Sequence, residues 1–294
     1  MEGKIEKVRA AVEYIESHLT RKLELDDIAR GVHYSKHHLH RVFSRTVGLT
    51  VREYVQRRQL TEAARLLVFS DRPILEIALT AGYESQQAFT SAFAAMYKQT
   101  PNQYRKNEEF YPLQLKFEFD GRYDMLKDTE VRWNTALAAE EDIPCWMELV
   151  RLVIDGFPHL DEEAYVRTLR GRIRADEALI IKDGKTAVGI LIFSRRTGSI
   201  DFLGTHPLYR GKGIPQEFLA RVIDELPEGR DVTITTYRED DKADTGRRRE
   251  IMELGFAEAE LLVEFGYPTQ RFVLRRAGSA GRPADGNGEP HRKN

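Results

Sequence analysis

The chain has one cysteine in 294 residues, Cys145, so no internal disulfide can brace its fold. The thiol lies in Ile143-Pro144-Cys145-Trp146-Met147 and reads as a small apolar side chain rather than a nucleophile. Long hydrophobic runs are missing too. None approaches the ~20 residues that a membrane helix needs, and Met1-Glu2-Gly3-Lys4 leads into an amphipathic helix without a signal-peptide core. A cytoplasmic protein is expected, with no membrane partner and no metal. Nor does one sign of charge prevail, with 45 Lys+Arg against 47 Asp+Glu. That balance hides a split. Residues 1–107 carry 17 Lys+Arg and 12 Asp+Glu, a net of +5, and the remainder carries −7. A basic half joined to an acidic half points to two different partners, with nucleic acid suited to the basic one. The content of 41% hydrophobic and 31% charged residues is that of a globular chain long enough for two domains.

What is present is a repeat. Asp27-Ile28-Ala29 recurs as Glu76-Ile77-Ala78, and Gly31-Val32-His33-Tyr34-Ser35 is echoed by Ala81-Gly82-Tyr83-Glu84-Ser85. Leu39 and Phe43 recur as Phe89 and Phe93, and Thr50 with Tyr54 as Thr100 with Tyr104. Each copy reads as a short helix, a glycine-containing turn and a second helix capped by Ser35 or Ser85, the pattern of a helix-turn-helix unit. Periodicity predicts a leading helix over Lys4 to Leu19. Thr50-Val51-Arg52-Glu53 is a capping box opening a long connecting helix to about Ser70.

The apolar stripes leave Lys36, His37, His40 and Arg41 outward on one repeated helix, and Gln86, Gln87, Thr90 and Ser91 outward on the other. Arg can bridge guanine O6 and N7, Gln can bridge adenine N6 and N7, and Thr offers a methyl or a hydroxyl. Arg45, Arg57, Arg58, Arg65 and Lys98 are expected at phosphates, which hold register without reading sequence. A lone surface arginine is usually just solvated. Here the exposed residues recur at the same phase of two helices.

Residues 5–107 resemble the DNA-binding domain of the AraC/XylS family, through Tyr34-Ser35-Lys36-His37-His38-Leu39-His40-Arg41-Val42-Phe43, Ala81-Gly82-Tyr83-Glu84-Ser85-Gln86-Gln87-Ala88-Phe89 and Thr100-Pro101-Asn102-Gln103-Tyr104. Ser35-Lys36 and Ser85-Gln86-Gln87 look most like the MarA, SoxS and Rob branch. The resemblance implies an all-α double helix-turn-helix domain whose second helices enter successive major grooves of double-stranded DNA. Base contact carries over to His37, His40 and Arg41, and to Gln86, Gln87 and Thr90. RNA polymerase is a further partner of such a regulator. His37 stands where the branch has Trp, and Ser91 where it has Arg.

Residues 108–128 lose periodicity and read as a linker with one strand over Leu115 to Phe119. From about residue 129 to 276 strand and helix patterns alternate, with turns at Asp183-Gly184 and Thr197-Gly198. The tail 277–294 is rich in Gly, Pro and charge and is expected to be disordered. The clearest motif is Leu203-Gly204-Thr205-His206-Pro207-Leu208-Tyr209-Arg210-Gly211-Lys212-Gly213-Ile214, a strand, a glycine-punctuated basic turn and a helix. Such a turn presents backbone N–H groups at a helix N-terminus, where phosphate binds readily.

Residues 131–276 resemble the GNAT acetyltransferase superfamily, and Arg210-Gly211-Lys212-Gly213-Ile214 looks like its coenzyme A pyrophosphate loop. The resemblance implies an α+β domain taking acetyl-CoA as acyl donor or ligand. Arg210, Gly211, Lys212, Gly213 and Ile214 would hold the pyrophosphate, and Leu203 and Thr205 would line the pantetheine. A substrate amine attacks the thioester directly. The tyrosine that commonly protonates the leaving thiolate should fall at 251, where this chain has Ile251. Pro215 removes one N–H, and Asp244 and Arg247 replace the usual Asn and Ala. Tyr237 is the substitute acid, and Asp201 or His206 the substitute base. His206 also suits a plain role capping the turn before Pro207. Glu141, Asp142, Asp155, Asp161, Glu162, Glu163, Asp240 and Asp241 would wall the acceptor side and favour a small cationic amine as substrate or inducer, or else simply complement helix dipoles. Three readings stay open: a regulator with a working acetyltransferase, a regulator whose second domain only senses a ligand, and an enzyme whose first domain only places it near the chromosome.

Overall fold

The computed structural model describes residues 2–117, 133–153, 162–264 and 267–276. The tail 277–294 and the second part of the expected linker lie outside them.

Seven helices build the first domain: α1 (Glu2–Glu16), α2 (Leu25–Gly31), α3 (Lys36–Val47), α4 (Val51–Phe69), α5 (Ile74–Thr80), α6 (Gln86–Tyr97) and α7 (Pro101–Asn107). α1 stops three residues before the expected Leu19, where the Ser17 hydroxyl turns back onto the carbonyls of Glu13 and Tyr14. The Thr50 capping box forms in full, with Glu53 N donating to Thr50 Oγ1 and Thr50 N to Glu53 Oε2. Ser85 caps α6 through Ala88 N, whereas Ser35 occupies the N-cap of α3 without a side-chain bond. Each helix-turn-helix unit has its own core. Ile28, Leu39, Phe43 and Tyr54 fill the first, and Ile77, Phe89, Phe93 and Tyr104 the second. At 19 residues α4 is a rod of ~28 Å joining the two.

Residues 110–117 do not hang free. They form a strap along α4, with the backbone N–H groups of Leu113 and Gln114 donating to Thr61 Oγ1 and that of Phe117 to Tyr54 Oη. No strand forms over 115–117, where Phe117 N is bonded to Tyr54 Oη and the Leu115 carbonyl to the Gln114 side chain; residues 118 and 119 lie outside the described residues.

The second domain is α+β, the class implied by the GNAT resemblance. Its strands are β1 (Ala136–Leu137), β2 (Ala178–Asp183), β3 (Thr186–Phe193), β4 (Ser199–Thr205), β5 (Val232–Tyr237), β6 (Ala257–Glu264) and β7 (Tyr267–Leu274). They form one sheet in the order β1-β2-β3-β4-β5-β7-β6. The helices are α8 (Ile143–Val153), α9 (Glu162–Arg174), α10 (Ile214–Glu225) and α11 (Arg247–Glu253). Strand alternation splits the apolar residues between two faces. Leu179 and Ile181 pack with Phe218 and Val222 of α10, while Ile180 and Ile190 pack with Trp146 and Val150 of α8. All adjacent pairs are antiparallel except β4 and β5, which α10 connects as a parallel crossover. No helix among the described residues is long and apolar enough to cross a membrane.

The two domains are docked. Lys98 pairs with Asp241 at 2.8 Å, Arg57 donates to the Ala243 carbonyl, and Arg210 Nη1 donates to the Val47 carbonyl at 3.0 Å.

Candidate functional site

Two faces carry the residues singled out by sequence. On the first domain, Lys36, His37, His40 and Arg41 are exposed along α3, and Gln86 and Gln87 along α6, with Thr90 half-buried beside them. Lys36 is held by an exposed pair with Asp26 at 2.8 Å. The expected phosphate contacts divide. Arg45 and Arg65 are exposed, but Arg57 and Arg58 are buried. Arg58 Nε and Nη2 clamp the Glu16 carboxylate at 2.8 Å each, and Nη1 holds the Gln114 carbonyl. α4 is packed on nearly every side, so these arginines face protein and not DNA. Lys98 is likewise committed to Asp241.

The second face is a cleft in the sheet. β4 and β5 pair only at Ser199 with Thr233 and Ile200 with Ile234, then diverge. The divergence opens a cavity of about 1180 Å³, lined by residues 201–205 on one side and 235–237 on the other. A gap between parallel strands, at their C-terminal ends and beside a helix N-terminus, is the usual ligand position in such sheets. Leu203, Thr205, Arg210, Gly211 and Gly213 all line it. Gly211 and Gly213 adopt φ of +71° and +78°, with open space where a Cβ would be. Both are therefore left-handed positions that favour glycine. Thr205 is 5% exposed and its Oγ1 is buried without a hydrogen-bond partner.

Lys212 and Ile214 do not line the cleft. Ile214 is fully buried in the core, and Trp133 Nε1 donates to the Lys212 carbonyl at 2.6 Å, pinning the turn from behind.

Of the three acid–base candidates, Tyr237 and Asp201 line the cleft and His206 does not. His206 is buried under the turn, and its Nδ1 accepts from Leu208 N at 3.2 Å, the capping role. Asp201 is bound by Arg172 at 2.5 Å and by the Ser199 hydroxyl. Ile251 is fully buried against the sheet, so the helix face turned to the cleft carries Arg247 and Glu250 instead. The acidic wall does not assemble there. Asp142 pairs with Lys182 and caps Ala139 N, Glu162 pairs with Arg151, and Asp241 pairs with Lys98. Asp155 and Asp161 lie outside the described residues.

Sequence reasoning missed Arg247, Glu264 and Tyr267, which also line the cleft. Arg247 Nη2 reaches across from α11 to the Leu203 carbonyl of β4. The Tyr267 hydroxyl donates to Asp241, and burial, then the Asp241 charge, push its pKa up, so its proton is held.

A helix-turn-helix domain model matches residues 28–107. The regulatory protein SoxS of Salmonella typhimurium is 37% identical over 98 residues, covering 33% of this chain and 92% of that protein. The chain belongs to the AraC-type helix-turn-helix family. YbfP of Bacillus subtilis, an HTH-type transcriptional regulator, is 39% identical over 112 residues, and the chain spans only 38% of its length. The crystal structure of a GNAT-family acetyltransferase from Bacillus cereus covers 50% of this chain and 99% of its own, at 12% identity and a TM-score of 0.40.

Proposed function

We propose that this AraC-type chain is a sequence-specific regulator of transcription whose second domain binds acetyl-CoA in the β4–β5 cleft and transfers the acetyl group to a small amine. The observation that carries the second half is the left-handed Gly211/Gly213 turn opening onto a cleft that holds an unpartnered, buried Thr205 hydroxyl. The N–H groups of that turn and of the first turn of α10 would receive a pyrophosphate, with Arg210 beside them. The backbone of residues 201–205, which β5 leaves unpaired and of which Arg247 holds only the Leu203 carbonyl, would bond the amide groups of a pantetheine arm. Tyr237, which lines the cleft at the end of β5, would protonate the departing thiolate, with the attacking amine's proton passing to cleft water, and holding amine and thioester together would supply much of the rate.

A sensor reading is favoured by two contacts. Arg247 crosses the cleft to Leu203, and Arg210 is bonded to the C-terminus of the DNA-reading helix α3. A ligand that drew Arg210 into the cleft would act on α3 directly.

The test is the melting temperature of the full chain with and without acetyl-CoA. A ligand at a hundred times its dissociation constant stabilises by about 2.7 kcal/mol. A saturable rise that is absent in Gly213→Glu supports the site, and no rise at millimolar ligand refutes it. Release of free thiol on adding a polyamine then separates transferase from sensor.

A further inference from the structure

A second cavity, of about 220 Å³, lies where the two domains meet, between α4, α6 and the loop preceding α11. Arg57 lines it. Arg57 is 2% exposed, yet among the described residues it forms no ion pair. Its Nη2 donates to the Ala243 carbonyl, and its Nη1 is buried with no hydrogen-bond partner. A guanidinium is almost never buried this fully without a counter-charge, because the lost hydration must be offset.

Two carboxylates share the cavity wall, but both are engaged by backbone. Glu53, one turn before Arg57, accepts Thr50 N at 2.7 Å. Asp244 Oδ1 accepts Gly246 N and Arg247 N at 3.0 and 2.8 Å where α11 begins. The α6 contribution to the wall is apolar, Ala92, Ala95 and Met96, and exposed Lys242 also lines it. A charged donor and an apolar α6 wall in one small cavity describe an amphipathic guest. The volume is below the ~300–1,000 Å³ of sites for drug-sized ligands, so the guest is small.

We infer that this cavity is a binding site for a small carboxylic acid with an apolar body, its carboxylate on Arg57 Nη1 and its body against Ala92, Ala95 and Met96. The site does not depend on the acetyl-CoA reading. Its walls come from the rod between the DNA-reading units, from the second unit and from the second domain. An acid bound there favours the docked arrangement of all three over any separated one. The chain thereby has a place for a small acid to bias how its two helix-turn-helix units are presented.

The full chain would be melted with increasing hexanoate or benzoate, and with hexanamide as the uncharged control. Both acids should raise the melting temperature saturably and hexanamide much less. In Arg57→Met the apparent affinity for acid should fall about ten- to a hundredfold, the worth of one charged hydrogen bond. Ala95→Phe, which fills the cavity and keeps the Arg57 side chain, should abolish the shift while the helical signal in circular dichroism is kept. Gly213→Glu should leave it unchanged. The inference is overturned if neither acid shifts the parent chain, if hexanamide matches hexanoate, or if the shift survives Ala95→Phe. Should Arg57→Met not fold, the Ala95→Phe and hexanamide comparisons decide.

Discussion

Replacing Gly48 by alanine tests whether the glycine turn at 211–213 of the second domain, through Arg210, holds α3. Gly48 ends α3 at φ +82°, and a Cβ built there would lie 1.2 Å from Arg210 Nη1. Two costs follow. A left-handed residue other than glycine costs ~1–2 kcal/mol on its own. Displacing the guanidinium also removes its part-buried bond, 3.0 Å long, from exposed Arg210 to the buried Val47 carbonyl. A charged hydrogen bond contributes ~1.5–3 kcal/mol when fully buried, so ~1 kcal/mol is a fair figure here. Gly48→Ala should therefore destabilise by ~2–3 kcal/mol. In an Arg210→Ala background the methyl has room, and only the backbone strain of ~1–2 kcal/mol remains. Urea unfolding of the four proteins, followed by circular dichroism, gives the interaction energy of the double-mutant cycle. A value near ~1 kcal/mol is expected. If Gly48→Ala costs the same in both backgrounds, Arg210 does not hold α3 and the coupling argument is wrong.

Other outcomes are equally specific. Glu16→Gln removes the bidentate partner of the buried Arg58 guanidinium and leaves it only the Glu62 carboxylate at 3.1 Å, so it should cost ~1.5–3 kcal/mol in the same unfolding assay; a change below ~1 kcal/mol would mean the pair is solvated. Burial pushes the Tyr165 pKa up from 10.0 to about 12, and burial also raises those of Tyr54, Tyr104 and Tyr267. The folded state then keeps protons that the unfolded state releases. Stability is present in full below pH 10.0 and falls as pH climbs toward about 12. Tyrosinate absorbance from these residues should appear together with loss of helical signal, and ionisation well before unfolding would contradict it. Arg41→Ala should weaken operator binding by ~1–3 kcal/mol at one base pair, whereas a loss that is uniform over random DNA in a binding titration would make Arg41 a phosphate contact.

The double helix-turn-helix was legible because its signals are local. Thr50 and Glu53 close a capping box four residues wide, and Leu39 with Phe43 sets the phase of α3 without help from elsewhere. The same phase left His37, His40 and Arg41 outward, as found. The strands of the second domain were legible from alternation and from turns such as Asp183-Gly184, although the two-residue β1 gave no usable period. The glycine turn at 211–213 was legible because only glycine fits its backbone freely.

What sequence could not decide was direction wherever several elements converge. α4 looks like an exposed basic rod in isolation. Packing by α1, the strap and the second domain buries it nearly all round, and turns Arg57 and Arg58 from phosphate contacts into interior groups. Ile251 reads as a lost acid along the chain, but the rotation of α11 on the sheet directs that position into the core. Arg247, Glu264 and Tyr267 come to one cleft from three elements, which no spacing along the chain records. The sequence by itself determined most of the helices, strands and turns, because capping, periodicity and glycine conformation act over a few residues; the strand expected at Leu115 and the two-residue β1 are the exceptions. Only the tertiary structure decided which charges are buried, what lines the cleft and where the domains touch, because these depend on burial by residues up to 186 positions apart.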